Sequence, residues 1–364
     1  MDTALYSSAL YVDMNIFDEN IQILTRRHKL LIPVLKSDAY GLGLLPMAQQ
    51  LAKHTGVKML AVAQVLEGAV LREGGIGSEI LVLGGTLPRQ WQAATELGLT
   101  LTVTRPGMVT ELNRLGKAVN VHLKIETGLN RNGIRPGDEL AGVIDELRQS
   151  CYVNLSGTYS HFAQAEDRDH VRCLSQKAEF DRALTQLQEA GIDPGLRHMS
   201  NSAAAEWMQE AEYDAVRIGR GLYMDAQDAP SGQIREVASW RAAIVGLRNL
   251  PAGTRLGYGQ GITLDRDTRV AMVNVGYGDG LNHRVANGGP VLVEGRQARL
   301  LGCCMDQCFV DTGDIDCSVG SEVTLFGYDG KGNFLSSQEV ARLCDDEGCG
   351  LTAALGPRVA RIYK

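Results

Sequence analysis

The sequence predicts an α/β protein, a (β/α)8 TIM barrel followed by a mainly antiparallel β domain. Three observations lead there. From residue 30 to about 220, short apolar runs alternate with amphipathic stretches, as in a chain of βα units. After Tyr223 the pattern changes to short runs with closely spaced turn signals. Between the two lies Asp225–Gly232, DAQDAPSG, whose composition is that of a linker. The expected division is a barrel over 1–228 and a β domain over 229–364.

The barrel strands are expected near 31–36, 58–62, 79–83, 100–103, 120–125, 153–160, 196–199 and 214–218. Helix-like stretches between them include Leu45–Lys53, Gln64–Glu73, Gly137–Gln149 and Val171–Ala190. A span of about 190 residues is lean for such a barrel, and a doubly wound open sheet is the competing fold. Downstream, strands are expected at Ala242–Leu247, Arg269–Val275, Pro290–Val293, Ala298–Leu301, Cys308–Asp311 and Glu322–Phe326, with one helix near Ser337–Cys344. An early strand, about 9–13, precedes the barrel and is expected to pair with the β domain.

Composition narrows the function. The chain has 364 residues, a net charge of −7 and no basic stripe, which argues against nucleic acid. The N-terminal MDTALYSSALYVDMN has no basic segment leading into an apolar one, so no secretory signal is expected, and no apolar run is long enough for a bilayer. Cys303, Cys304 and Cys308 cluster without a CxxC pair or a histidine partner, so no metal is expected. Eight cysteines in so long a chain are not a disulfide framework, and a reducing cytoplasm is the simplest setting.

The chain is organised around KLLIPVLKSDAYGLG, residues 29–43. An apolar run suited to a strand buried on both faces ends in Lys36, followed by turn residues. A lysine there can lie half-desolvated in a cleft, where its neutral amine can form a Schiff base. At the other strand ends stand Lys124 and Arg131, His161, Asn201 and Ser202, and Arg217 with Gly219. None of these cations has an obvious carboxylate beside it in sequence. Cations and small donors gathered at a barrel mouth call for an anionic ligand, and the Ser202–Gly219 region is where such barrels hold phosphate. A lysine amine opposite a phosphate site suggests pyridoxal phosphate.

The segments VLKSDAYGLG (34–43), HLKIETGLNRNGI (122–134), SGTYSHFAQAED (156–167), MSNSAAAEW (199–207), AVRIGRGLY (215–223), RLGYGQG (255–261), VGYGDG (275–280) and GCCMDQCFVD (302–311) together resemble the alanine racemase family of fold-type III pyridoxal-phosphate enzymes. They occur in that family's order over nearly the whole chain. Singly each is ordinary: Tyr258 would be a turn tyrosine, His161 a core histidine, Arg217 an ion-pairing residue and Met305 core filler.

The resemblance implies roles. Lys36 would carry pyridoxal 5'-phosphate on its amine and act as base on one face of the substrate Cα. Tyr258, from the other subunit of a homodimer, would be the base on the opposite face, as inversion at carbon requires. A tyrosine near its usual pKa of about 10 is a poor base, so His161 and Arg217 would lower its proton affinity. Arg217 would also face the cofactor's ring nitrogen and discourage its protonation. Arg131 would contact the cofactor and the substrate carboxylate, with the Met305 amide helping across the interface. Lys124 would be a carbamylated lysine. Tyr40, Asn201, Ser202, Gly219 and the Arg220 amide would hold the cofactor, mainly at its phosphate. The implied activity is L- to D-alanine racemisation, and the implied setting is D-alanine supply for the cell wall.

Two departures stand out. Pro357 (or, with a one-residue slip, Gly356) occupies the place of a pocket tyrosine in many family members, and Arg220 replaces a commonly apolar residue. A larger site would favour serine or a bulkier amino acid, which is the competing substrate reading. A non-catalytic pyridoxal-phosphate homeostasis protein and a diamino-acid decarboxylase are the competing classes.

Overall fold

The computed structural model describes residues 6–168, 170–224, 233–258 and 261–364. The predicted linker, 225–232, lies outside the described residues. Eight short parallel strands form the first unit: β2 (Leu31–Pro33), β3 (Met59–Val62), β4 (Glu79–Val82), β5 (Leu101–Val103), β6 (Val119–Lys124), β7 (Val153–Tyr159), β8 (Leu196–His198) and β9 (Val216–Ile218), with β1 (Ser8–Val12) preceding them. Strands β2 and β9 pair, β3 and β4 pair, and β5 to β8 form a ladder. Single parallel bridges, Val34 to Ala61, Leu81 to Thr100 and His198 to Ala215, join these groups and close the ring. The sheet is a closed eight-stranded barrel, not the open doubly wound alternative.

The strands β2 to β5 are mostly apolar and buried because helices cover the barrel's outside while side chains fill its inside, whereas β6 to β9 also carry polar residues such as His122, Lys124, His198 and Arg217. The four helices read from the sequence appear at Leu44–Leu51, Val65–Glu73, Asp138–Gln149 and His170–Glu189. Three more, Met14–Arg27, Pro88–Glu96 and Met108–Asn113, were not read from the sequence. The first of these buries Ile16, Phe17, Ile21 and Leu24, but also Asn20, which interrupts the apolar stripe. The Asn20 amide donates to Leu222 O and Arg235 O and accepts from Arg235 N, pinning the helix to the chain on both sides of 225–232.

The second unit is built from β10 (Ala238–Leu250), β11 (Thr268–Val273), β12 (Asn287–Val293), β13 (Arg296–Cys303), β14 (Cys308–Asp311), β15 (Glu322–Tyr328), β16 (Phe334–Leu335) and β17 (Ala360–Tyr363). All neighbours are antiparallel except β1 and β17. β10 also pairs with β15, so β10, β11, β14, β13, β12 and β15 close on themselves and leave few free edges. β1 lies between β10 and β17, so the chain's first strand belongs to this second sheet. Two helices, Ser337–Arg342 and Gly348–Ala353, stand where the sequence suggested one, separated by Asp345 in a left-handed conformation (φ 55°). No described helix is long and apolar enough to cross a membrane.

Candidate active site

The carboxyl ends of the barrel strands open into a cavity of about 560 Å³. Ten of the residues singled out in sequence line it: Lys36, Tyr40, Lys124, Arg131, His161, Asn201, Ser202, Arg217, Gly219 and Arg220. Tyr258 and Met305 do not; they are 76% and 55% exposed on the second unit. Asn132, Tyr159, Glu166, Glu347 and Cys349 also line the cavity, and sequence reasoning gave them no part. Gly356 and Pro357 are absent from that lining, and Glu347 and Cys349 contribute to it from the second unit.

Lys36 stands three residues beyond β2, which ends at Pro33 and not at 36 as the apolar run predicts, and is exposed at the cavity. The chain leaves the sheet after Leu35 N donates to Ala61 O, and then makes a left-handed turn. Ser37, Asp38, Ala39 and Tyr40 have φ of 55°, 57°, 52° and 57°, a run that non-glycine residues avoid. The Glu67 carboxylate braces it, accepting from Ser37 N at 2.6 Å with one oxygen and from Ala63 N and Gln64 N with the other. Such strain persists only where the surroundings over-determine it, and here it sets the position of the lysine.

Arg217 is buried in β9 and donates to Ser160 O, Met199 O and His198 O at 2.7–3.0 Å, and to Nδ1 of His198 (2.8 Å) and His161 (3.0 Å). Burial lowers its pKa to about 10, which still leaves it charged at neutral pH. A guanidinium only donates, so both imidazoles accept at Nδ1 and carry their proton on Nε2. His198 then donates to His122 Nδ1 at 2.9 Å, and the His122 Nε2–H is buried with no partner among the described residues. Burial and the Arg217 charge push His122 down to about 3, and burial first, then nearby cations, hold His161 and His198 well below the usual histidine range. All three stay neutral, and the His161 Nε2–H is a fixed donor at the cavity. Gly157 makes room for this array: a Cβ there would lie 2.6 Å from the His122 ring.

Lys124 ends β6, buried, with its ammonium bonded to Asn132 Oδ1 and 5.8 Å from the centre of the Tyr159 ring. Burial, with Arg131 and Arg217 nearby, lowers its pKa to about 8. Among the described residues, Lys36, Lys124, Arg131 and Arg217 have no salt-bridge partner. Four unpaired cations facing one cavity leave it short of negative charge. At one end, the amides of Gly219 and Gly221 reach Ser202 Oγ at 3.2 and 3.4 Å, and a Cβ on Gly219 would lie 2.1 Å from the Tyr40 hydroxyl. Only glycine admits that approach. The Asn201 side-chain oxygen Oδ1 accepts from Ala204 N at the start of the short helix that follows. The set fits an anionic, phosphate-bearing aldehyde beside an accessible lysine.

Residues 12–227 match the family model for the alanine racemase N-terminal domain, and 237–363 that for the alanine racemase C-terminal domain. An alanine racemase of Halothermothrix orenii is 36% identical over 343 residues, covering 92% of this chain and 90% of that one. One of Desulfovibrio desulfuricans is 32% identical, covering 97% and 96%. The solved alanine racemase of Streptomyces coelicolor superposes with a TM-score of 0.92 at 27% identity, over 98% of both chains. A barrel whose mouth presents this lysine, these cations and this glycine cradle, joined to the matching β domain, places the chain in the alanine racemase family.

Proposed function

We propose that the chain interconverts L- and D-alanine with pyridoxal 5'-phosphate held at the barrel mouth. The observation that carries this is the braced left-handed turn that sets Lys36 at a cavity of unpaired cations with a glycine-lined end. When bound, the cofactor supplies an electron-withdrawing ring conjugated to the substrate nitrogen, which acidifies the Cα–H. Tyr40, Asn201, Ser202, Gly219 and the Arg220 amide would hold its phosphate, and Arg217, anchored by five acceptors, would face its ring nitrogen. Lys36 anchors it and moves a proton at one face of Cα. Arg131 orients the substrate carboxylate.

The base for the other face is Tyr258, with Met305 beside the substrate carboxylate, both reaching the cavity of a second copy in a homodimer. Their exposure and their absence from their own cavity support this. The His161 Nε2–H donates to the phenolic oxygen, favouring its deprotonated form. Lys124 is the carbamylation site: its low pKa leaves a neutral amine available to attack carbon dioxide and release a proton, giving an anion among Arg131 and Arg217. The division at 228/229 agrees with the two family matches. Eight cysteines without a disulfide suit the cytoplasm.

The test is incubation of purified protein and pyridoxal phosphate in deuterated water with separate L-amino acids, following Cα exchange by proton NMR and D-isomers by chiral chromatography. D-alanine is expected to form fastest. Faster serine would support the serine-preferring reading, and no exchange on any amino acid would support the homeostasis-protein class.

A further inference from the structure

The Arg220 side chain does not run out to solvent. It is 14% exposed and reaches from the barrel to the second unit, where its guanidinium pairs with Glu347 at 2.8 Å. Both residues line the cavity. They stand at its glycine-lined end: Arg220 directly follows Gly219, against which the Tyr40 hydroxyl packs. Tyr40 and Cys349 line the same cavity as Arg220 and Glu347, and burial raises the Tyr40 hydroxyl pKa. The phosphate end therefore carries a mostly buried guanidinium whose partner is a half-exposed carboxylate (51%). A carboxylate is out of place beside a phosphate, unless its neighbour cation can exchange one anion for the other. A phosphate carries more charge than a carboxylate and matches the planar fork of arginine equally well. An ion pair half open to water is the weaker hold.

We propose that the Arg220 guanidinium is a ligand of the cofactor's phosphate and that Glu347 competes for it, so that phosphate displaces the carboxylate as the cofactor seats. This rests on the cofactor reading above and adds two side chains to it. The consequence is that cofactor retention, and not only turnover, is set by a contact between the two units.

The test is the rate at which pyridoxal phosphate leaves the purified holoenzyme during dialysis, followed by cofactor absorbance, with circular dichroism confirming the fold. Removing one charge-assisted contact corresponds to about ten- to a hundredfold, so Arg220→Leu is expected to lose cofactor faster by that factor and Arg220→Lys by less. Glu347→Gln is expected to lose it severalfold more slowly, an effect that a merely structural salt bridge would not give. An Arg220→Leu holoenzyme that keeps its cofactor as long as the wild type overturns the phosphate role. A Glu347→Gln holoenzyme that loses cofactor faster overturns the competition. A wild-type chain that takes up no pyridoxal phosphate overturns this inference together with the cofactor reading, and is told apart from the other outcomes by that absence.

Discussion

Glu67→Gln tests why Lys36 stands where it does. The turn that follows the lysine holds four consecutive non-glycine residues in the left-handed region, at roughly 1–2 kcal/mol each. Backbone bonds from Ala39 N to Leu35 O and from Gly41 N to Ser37 O offset part of that cost. The Asp38 carboxylate adds a bond from Leu44 N at 2.7 Å, and Glu67 fills both of its oxygens with backbone amides of Ser37, Ala63 and Gln64. Glutamine offers one acceptor and one donor in the same space. Whichever way the amide turns, an N–H faces an N–H, either at Ser37 or at the Ala63–Gln64 pair. An unsatisfied buried group costs about 1–3 kcal/mol, and the partly exposed setting places this one near 1–2 kcal/mol. The loss is measurable by urea unfolding. Racemisation is expected to fall roughly tenfold or more, because a lysine displaced by a fraction of an ångström loses its alignment. A Glu67→Gln chain with unchanged unfolding midpoint and unchanged turnover would refute the argument that this brace holds the turn.

Two predictions concern protons. Carbamylation needs the neutral amine of Lys124, whose fraction grows as pH rises through about 8. A carbamate signal in carbon-13 NMR with labelled bicarbonate is therefore expected to strengthen from pH 7 to 9 and to be absent in Lys124→Met; a signal that weakens over that range contradicts it. His122 falls from 6.5 in the unfolded chain to about 3 in the folded one. The unfolded state thus binds the extra proton, and stability is lost as pH falls below 6.5, by up to about 1.4 kcal/mol per pH unit for each such histidine. Urea midpoints between pH 7 and 5 are expected to fall less steeply for His122→Asn than for the wild type, and parallel slopes would contradict it.

The barrel strands were legible because most are short runs rich in buried apolar residues, and reading the polar residues at or near their ends located the cations of the cavity. What resisted reading depends on contacts distant in sequence. The strand Ala360–Tyr363 carries Arg361, whose guanidinium donates to the carbonyls of Gly41, Leu355, Gly356 and Val359, so its pattern is not that of a strand. The helix Met14–Arg27 hides behind buried Asn20. At the site, Ser37 to Tyr40 have no composition that signals a left-handed turn; the brace comes from Glu67, on another βα unit. Glu347 and Cys349 reach the cavity only because the helix Gly348–Ala353 packs on Gly41, where a Cβ would meet Thr352 O at 2.0 Å. Asn132, by contrast, sits eight residues from Lys124 and was open to reading as its partner.

In the proposed reaction two bases, Lys36 and Tyr258, serve opposite faces of one carbon. The most direct measurement is Cα hydrogen exchange of each alanine enantiomer in deuterated water, catalysed by Tyr258→Phe holoenzyme and compared with the wild type. The variant is expected to bind cofactor and to exchange one enantiomer through Lys36, and to lose both exchange of the other and racemisation. A variant that racemises at the wild-type rate, or that exchanges both enantiomers equally, would contradict it.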